Sequence, residues 1–390
     1  MLSTRETNGK TATSRDREIP NHNDLVDYNY AVAGHAGTMC DADGELFIKP
    51  CTQSEVDFYE SAHTLHPEFA EIMPLYIGTL SLNETSDETS IHEQIPDLVE
   101  QADIPSPIRR EIQSHLHLEE RQAILEAHAG KDDSSAEVKW VPNKTRKIAT
   151  DKAVVLENAS FGYKKPNIMD AKLGERLWAD DAPPEKKKRF AKIAAETTHK
   201  NFGFRVAGMR VYQGSTEKSE LDKEGYRIYD KDWGRFTVND DNLIGSFKKF
   251  IFNEAAGIDK HLGKVIAGAF ATDLRRVVEV LESVESCMYS ASVLLVFEGD
   301  GDALRAAIQE AKAGVSAGIG MDDEELRKAS MPVDMDELED DSEDESSFPR
   351  IYSVKLIDFA HAAWTPGRGP DENVLKGVRS LVDIFDKMSQ

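Results

Sequence analysis

Two acidic segments interrupt this chain and limit the parts of it that can fold around an apolar core. Residues Met321–Ser346 contain 13 acidic and two basic side chains, a net charge of −11. Residues Ser81–Glu137 contain 14 acidic and four basic side chains, a net charge of −10. Segments with so much like charge bury too little apolar surface to offset their loss of chain entropy. We therefore predict a disordered insert at about residues 320–347 and a second insert at about residues 81–137.

These two segments carry most of the charge of the chain. The formal net charge of the 390 residues is −24, and the two segments supply −21 of it. Between Ser160 and Arg210, by contrast, 12 basic and six acidic residues give a net charge of +6. The overall acidity argues against a protein that coats nucleic acid with its whole surface, so we expect no stable nucleic-acid binding.

The cysteines and the apolar runs indicate the compartment. Cys40, Cys51 and Cys287 are odd in number and form no CxxC pair, which is typical of reduced thiols in an intracellular protein. No apolar run reaches the roughly 20 residues that a bilayer-spanning helix needs, and the N-terminus lacks the apolar core of a signal peptide. We predict a monomer of the nucleus and cytoplasm, without a membrane span.

The hydrophobic periodicity predicts an α+β core. Helices are expected after Pro184, over Arg275–Ser286, and at the C-terminus, where an apolar stripe over Val374–Phe385 follows Asp371 as N-cap. Short apolar runs predict strands at Lys152–Glu157, Phe204–Tyr212, Ser292–Phe297 and Tyr352–Asp358.

Two short motifs combine residue types that suit phosphoryl transfer. In PNIMDAKLG (residues 166–174), Asp170 and Lys172 are two apart, so in an extended chain both can converge on a phosphorylated ligand. Gly174 permits close approach of the backbone. In LIDFAH (residues 356–361), an apolar strand ends in Asp358, whose carboxylate is a suitable ligand for magnesium beside phosphates.

Three motifs stand in the order and spacing of one known family. PxxxDxKxG at residues 166–174, an S-x-L-L segment from Ser292 and IDF at residues 357–359 resemble the inositol polyphosphate kinase family. FRVAGMRVY (204–212), and in the N-terminal lobe Gly34, His35, Lys49 and EVDFY (55–59), are also similar to that family. The resemblance covers roughly residues 32–384 apart from the acidic segments. IMDAKLG, ADDAPPEKKKRFAKIAAETT and IDFAHA look most like its fungal-type multikinase branch.

The resemblance implies a reduced protein-kinase-like (ATP-grasp/kinase-like) fold with two lobes, antiparallel sheets, helices and the two acidic inserts. The expected division is a disordered tail at residues 1–24, an N-terminal ATP-binding lobe at 25–158 and a C-terminal catalytic lobe at 159–390. A helical segment at about residues 175–200 of the second lobe is expected to bind the inositol phosphate.

The resemblance also implies roles for individual residues. For ATP, Lys49 would pair with the phosphates, the backbone of Glu157 and Ala159 would meet adenine, and Asp170 would contact ribose. Lys172 would meet the transferred phosphoryl group and the inositol substrate, while Asp358 would hold Mg²⁺.

The inositol phosphate is expected to bind a set of basic side chains. Because it carries several phosphates, it needs several charge-assisted contacts, which lysine and arginine on adjacent helical turns can supply. The residues are Lys186, Arg189, Lys192 and His361.

The leading hypothesis is an ATP-dependent inositol polyphosphate multikinase that phosphorylates Ins(1,4,5)P3 and InsP4 at the 6- and 3-hydroxyls, towards InsP5. An inositol hexakisphosphate kinase is the alternative within the family, since that branch shares a DDA-x-x-EKK-like segment. A calmodulin-regulated 3-kinase is disfavoured, because no basic amphipathic helix of the calmodulin-binding type lies between the motifs.

An alternative of another class is a nuclear, transcription-regulating scaffold that binds protein partners through its acidic insert. Acidic segments with scattered apolar residues, such as Met331, Met335 and Leu338, can order on contact with a partner.

Overall fold

The computed structural model describes residues 26–28, 37–41, 43–81, 150, 152–317 and 350–390. The predicted tail at residues 1–24, the positions of Gly34 and His35, and the acidic inserts beyond Ser81 and at 320–347 lie outside the described residues.

The first sheet belongs to the N-terminal part of the chain and has five antiparallel strands. They are β1 (Val26–Asp27), β2 (Met39–Cys40), β3 (Leu46–Pro50), β4 (Tyr76–Ser81) and β5 (Lys152–Glu157), arranged in the order β1–β2–β3–β5–β4. Helices α1 (Gln53–Leu65) and α2 (Pro67–Ala70) connect β3 to β4.

The second sheet follows in the chain and also has five antiparallel strands. They are β6 (Pro166–Leu173), β7 (Phe204–Tyr212), β8 (Tyr226–Tyr229), β10 (Ser292–Glu298) and β11 (Tyr352–Ile357), in the order β11–β10–β6–β7–β8. The motif strand β6 is therefore the centre of the sheet. A small two-stranded sheet pairs β9 (Ser286–Met288) with β12 (Ala362–Trp364).

Seven helices accompany the second sheet in the part of the chain that the structure describes. They are α3 (Pro184–Ala195), α4 (His199–Phe202), α5 (Lys231–Phe236), α6 (Leu243–Ile251), α7 (Lys260–Ser283), α8 (Gly301–Ala317) and α9 (Glu372–Ser389). Helices α7 and α9 pack along each other, with the rings of Phe270 and Phe385 5.2 Å apart. Neither these nor the two helices of the first lobe are long and apolar enough to cross a bilayer.

Helix α9 forms where the sequence predicts it. The Asp371 side chain accepts hydrogen bonds from the backbone N–H groups of Asn373 and Val374, so the predicted N-cap is confirmed. The apolar stripe that follows is buried except for the partly buried Val382, and each large apolar side chain contributes roughly 1.5–3 kcal/mol on burial. This helix provides the surface on which the turn after β6 packs.

The α+β prediction is confirmed, and strands β5 and β7 have the predicted bounds. Three predicted elements differ. The strand predicted at Ser292–Phe297 continues for one more residue, to Glu298. The strand predicted to reach Asp358 ends at Ile357, because Asp358 has a positive φ of 70° that no strand residue adopts. The helix predicted over Arg275–Ser286 starts already at Lys260 and ends at Ser283, since the side chain of Asp259 caps its N-terminus.

Candidate active site

The site lies where the first sheet meets the end of β11. Lys49 on β3 donates a hydrogen bond from Nζ to Asp358 Oδ1 over 2.8 Å, and the same nitrogen lies 2.8 Å from Glu55 Oε1. Burial alone would lower the pKa of Lys49, but the carboxylates of Asp358 and Glu55 outweigh it and hold the pKa well above its usual value. Lys49 is therefore a permanent cation in the cleft between the two sheets.

Glu55 is a residue of this site that the sequence analysis missed. It lies in the first turn of α1, is only 1% exposed, and its Oε1 also accepts a hydrogen bond from the backbone N–H of Phe359 over 3.1 Å. A single carboxylate thus ties Lys49 to the turn that carries Asp358. The sequence held one signal for this residue: Glu55 is an acidic residue among apolar residues of α1 that are buried in the core, such as Val56 and Tyr59.

The backbone of Asp358 turns sharply as it leaves the strand. Its φ of 70° lies in the left-handed region, which few residues other than glycine, asparagine and aspartate occupy. The ring of Phe359 is fully buried and stacks on Phe58 of α1, at 5.0 Å between ring centroids. The buried ring anchors the turn, which directs the Asp358 carboxylate back into the cleft.

Strand β6 supplies the second pair of predicted residues. Lys172 Nζ lies 3.5 Å from Asp358 Oδ2 and donates a hydrogen bond to the carbonyl of Ser290 over 2.8 Å. Asp170, two positions earlier on the strand, is 4% exposed and its Oδ1 has no hydrogen-bond partner in the described structure. Burial and the negative charge of Asp358 raise the pKa of Asp170, against the opposing effect of Lys172. An unpartnered buried carboxylate oxygen marks a place where a ligand can donate.

Gly174 packs closely against the C-terminal helix. It has a positive φ of 97°, and a Cβ built there would lie 2.7 Å from Asn373 Nδ2 of α9. Its N–H donates to the carbonyl of Gly203 over 2.7 Å. The close approach is therefore between the motif turn and the C-terminal helix, and the glycine holds β6 in place.

The predicted adenine-binding residues follow directly from β5. Ala159 is buried at 7% exposure, and the N–H of Glu157 donates to the carbonyl of Leu75 over 2.9 Å. The Glu157 side chain pairs with Arg350, at 2.9 Å between Oε1 and the guanidinium. Burial would raise the pKa of Glu157, but the positive charges of Lys355 and Arg350 hold it below its usual value. The segment that joins the two sheets is thus held by ion pairing as well as by backbone hydrogen bonds.

The basic helix α3 contributes one residue to the cleft edge. Lys186 Nζ lies 3.3 Å from His361 Nε2, three positions beyond Asp358. Burial and the charge of Lys186 lower the pKa of His361, so the imidazole is neutral at neutral pH. The two predicted substrate residues therefore lie together, and His361 is near enough to Glu55 and Lys172 to be affected by their charges.

The other two predicted cations of α3 have exposed side chains. The guanidinium of Arg189 lies over the ring of its neighbour Phe190, at 5.1 Å, and Lys186 Nζ lies 5.9 Å from the same ring. The Lys192 side chain is 71% exposed and pairs with Glu196, at 3.7 Å. Arg189 therefore shares a neighbour with Lys186, whereas Lys192 pairs with the residue that follows its own helix.

This arrangement can hold a phosphorylated nucleotide and a second polyanion in one cleft. Among the residues that the structure describes, no group of three or more His, Cys, Asp or Glu side chains forms a cage for a metal ion. A cation here would therefore need phosphate oxygens as further ligands, which is how magnesium is commonly held at nucleotide sites.

The comparisons with known proteins agree with this geometry. The family model described as inositol polyphosphate kinase matches residues 153–386. The inositol polyphosphate multikinase of Saccharomyces cerevisiae is 28% identical over 381 residues, covering 92% of this chain and 97% of that protein. Inositol hexakisphosphate kinase 1 of Mus musculus is 25% identical over 431 residues, covering 93% of each chain.

A solved structure of an inositol phosphate multikinase from S. cerevisiae, in complex with ADP and Mn²⁺, shares the fold. Its TM-score is 0.54 at 23% identity, and the match covers 89% of this chain and all of that one. The two-lobed, kinase-like fold with antiparallel sheets and helices is thereby confirmed. Since the family model matches more than half of the chain, the protein belongs to the inositol polyphosphate kinase family and is an ATP-dependent inositol phosphate kinase.

Proposed function

We propose that this chain is an inositol polyphosphate multikinase that transfers the γ-phosphoryl group of ATP to Ins(1,4,5)P3 and InsP4, at the 6- and 3-hydroxyls, towards InsP5. The observation that carries the proposal is the convergence of Lys49, Lys172 and Asp358 within 3.5 Å, with the Lys186–His361 pair at the edge of the same cleft. The first three residues suit a nucleotide triphosphate, and the pair suits a second phosphorylated ligand.

The nucleotide would lie between the two sheets. Its adenine would meet the backbone of Glu157 and Ala159, and its ribose hydroxyls would donate to the unpartnered oxygen of Asp170. Lys49 would release Asp358 and pair with the phosphates, while Glu55 keeps its ammonium in place. Because Lys49 remains protonated, this exchange of carboxylate for phosphate requires no proton transfer.

The residues present fit a divalent metal ion of the kind that accompanies nucleotides. Asp358 offers a carboxylate at the cleft, and its partner oxygens would come from the phosphates of ATP. When bound, Mg²⁺ would neutralise part of the phosphate charge. The multikinase from S. cerevisiae, whose solved structure contains ADP and Mn²⁺, supports this assignment.

The transfer itself needs positioning more than covalent chemistry. The inositol hydroxyl oxygen would form a bond to the γ-phosphorus while the bond to the bridging oxygen of ADP breaks, and the hydroxyl proton would pass to solvent water. Lys172, fixed by the carbonyl of Ser290, would neutralise charge on the transferred group. Lys186 and His361 would orient the phosphates of the acceptor.

An inositol hexakisphosphate kinase is the second candidate. Inositol hexakisphosphate kinase 1 of Mus musculus matches over nearly the whole of both chains, and this similarity favours it. We rank the multikinase first because the S. cerevisiae multikinase has the higher identity, 28% against 25%.

One experiment separates the two candidates. The purified protein is incubated with ATP, Mg²⁺ and, in parallel, Ins(1,4,5)P3, an InsP4 or InsP6, and the products are resolved by anion-exchange chromatography. We expect InsP4 and InsP5 from the first two substrates and no product from InsP6. A pyrophosphate product from InsP6, with Ins(1,4,5)P3 unchanged, would establish the alternative. The nuclear and cytoplasmic location, the monomeric state and the partners of the acidic insert stay predictions.

A further inference from the structure

Arg350, just before the last strand of the second sheet, forms an ion pair with a residue of the first sheet. Arg350 stands two positions before β11, and its guanidinium lies 2.9 Å from Oε1 of Glu157, at the end of β5. The Glu157 side chain is 14% exposed and the Arg350 side chain 36% exposed, so the carboxylate is largely removed from water while the guanidinium is partly solvated. Its other oxygen, Oε2, accepts a hydrogen bond from the N–H of Leu75 over 3.4 Å.

The aliphatic stem of Arg350 also contacts the turn on the other side of Ala159. A Cβ built on Gly162 would lie 3.2 Å from Cδ of Arg350, and Gly162 has a positive φ of 83°. The turn itself is closed by a hydrogen bond from the N–H of Phe161 to the carbonyl of Asn158, over 2.9 Å. One arginine therefore touches the segment before Ala159 through its charge and the segment after it through its stem.

Backbone hydrogen bonds of the residues that follow Arg350 keep it in place, so its side chain can position Glu157. The carbonyl of the next residue, Ile351, accepts the N–H of Glu298 at the end of β10, over 3.1 Å. Further along β11, the N–H of Leu356 donates to the carbonyl of Ile72 over 2.7 Å, which binds this strand to the first lobe. Lys355 adds a second buried positive charge that acts on Glu157.

We propose that Arg350 is a positioning residue for the nucleotide, which fixes the backbone of Glu157 and Ala159 in the geometry that receives adenine. The proposal rests on the nucleotide placement given under the proposed function. It assigns a role to the Glu157 side chain in addition to its backbone. It also distinguishes Arg350 from Lys49 and Lys172, since Arg350 acts on nucleotide affinity without touching the reacting phosphate.

The test is direct binding of the non-hydrolysable analogue AMP-PNP with Mg²⁺, measured by calorimetry well below the melting temperature of each variant. We expect Arg350→Met to raise the Kd for AMP-PNP roughly tenfold, in line with the cost of small misplacements at a binding site. Arg350→Lys keeps the charge and should recover part of the affinity. Glu157→Gln should weaken binding similarly, and the double variant should be no weaker than the single ones, because both changes break one contact.

The matched control is Arg379→Met, which removes an ion pair of α9 with Glu282 and Glu372 and should leave the Kd unchanged. In turnover assays Arg350→Met should raise the KM for ATP and leave the KM for the inositol phosphate unchanged.

The proposal would be overturned if Arg350→Met and Glu157→Gln bind AMP-PNP with unchanged affinity and differ from the original only in a lower melting temperature. If Arg350→Met does not fold, an unchanged Kd for AMP-PNP in Glu157→Gln would overturn it. Additive effects in the double variant would also overturn it. Absence of inositol phosphate kinase activity in the unaltered protein would instead refute the proposed function, since analogue binding requires no acceptor.

Discussion

Lys49 and Asp358 lie 2.8 Å apart although 309 positions separate them in the chain. Their ion pair joins strand β3 of the first sheet to the turn that follows the last strand of the second sheet. Glu55 completes the link by accepting hydrogen bonds from both Lys49 and the N–H of Phe359. These three contacts hold the predicted site residues of the two lobes together.

Asp358 is expected to be required both for its carboxylate and for its tolerance of a positive φ. Asp358→Asn and Asp358→Ala should both lower kcat by roughly a hundredfold or more, because both remove the charge that pairs with Lys49 and that would hold the metal ion. The asparagine variant should be the more stable one by about 1 kcal/mol, since asparagine tolerates the left-handed φ and alanine does not. Urea unfolding and steady-state kinetics measure both effects. Near-normal turnover in either variant would remove Asp358 from the mechanism.

Lys186 is expected to act on the acceptor and not on the nucleotide. Lys186→Glu should raise the KM for the inositol phosphate by roughly tenfold or more, the effect of losing a charge-assisted contact, and leave the KM for ATP nearly unchanged. Lys188→Glu is the control, because residues two apart on a helix point to different faces and Lys188 is exposed. Equal effects of Lys186→Glu on both KM values would contradict the assignment.

Gly174 is expected to be required for packing. Gly174→Ala should destabilise the protein by about 1–2 kcal/mol or more, since it combines a positive φ with a clash against Asn373. Gly245→Ala is a suitable control: it lies within α6, a Cβ there meets nothing within 4 Å, and alanine favours a helix by about 0.8–1 kcal/mol. Thermal unfolding of the two variants decides the point; a Gly174→Ala protein as stable as the original would show that the turn can relax.

Glu157 is expected to stabilise the protein in a pH-dependent manner. Its pKa in the folded protein is held below the value of about 4.3 in an unfolded chain, so the stabilisation is fully present above that pH. It is lost as the pH falls through the lower, folded-state pKa. Glu157→Gln should therefore cost about 1–3 kcal/mol at pH 7.5, and the cost should shrink on acidification below pH 4. Urea unfolding of both proteins across this range measures the difference, and a cost independent of pH would show that the charge of Glu157 contributes nothing.

The sequence predicted the local features of this fold well because they depend on neighbouring residues. The apolar run of β5 and the cap of α9 by Asp371 are examples in which periodicity and capping chemistry act over a few positions. Helix α7 was predicted too short, although Leu262, Ile266 and Phe270 form a buried apolar row at helical spacing in its first half. The positive φ of Asp358 was likewise outside what a pattern of apolar residues can indicate.

Site residues that act through long-range contacts could not be predicted from the sequence. The motif residues Asp170, Lys172 and Asp358 were identified without knowledge of the fold, because they belong to the motifs that resemble the family. Glu55 and Arg350 were missed because their importance comes from partners more than 150 positions away, Phe359 and Glu157. The roles of Arg189 and Lys192 were predicted from the resemblance and from the spacing of cations on neighbouring turns of α3, and they stay predictions.

The measurement that tests the central claim most directly is the initial rate of γ-phosphoryl transfer from radiolabelled ATP to Ins(1,4,5)P3, for the unaltered protein and for Lys172→Ala. The ammonium of Lys172 is fixed 3.5 Å from Asp358, and we expect rapid labelling of InsP4 and then InsP5 by the unaltered protein. We expect a rate lower by roughly a hundredfold or more for the variant, whose circular dichroism should be unchanged. Absence of labelled inositol phosphate from the unaltered protein, or equal rates for the two proteins, would contradict the proposed phosphoryl transfer.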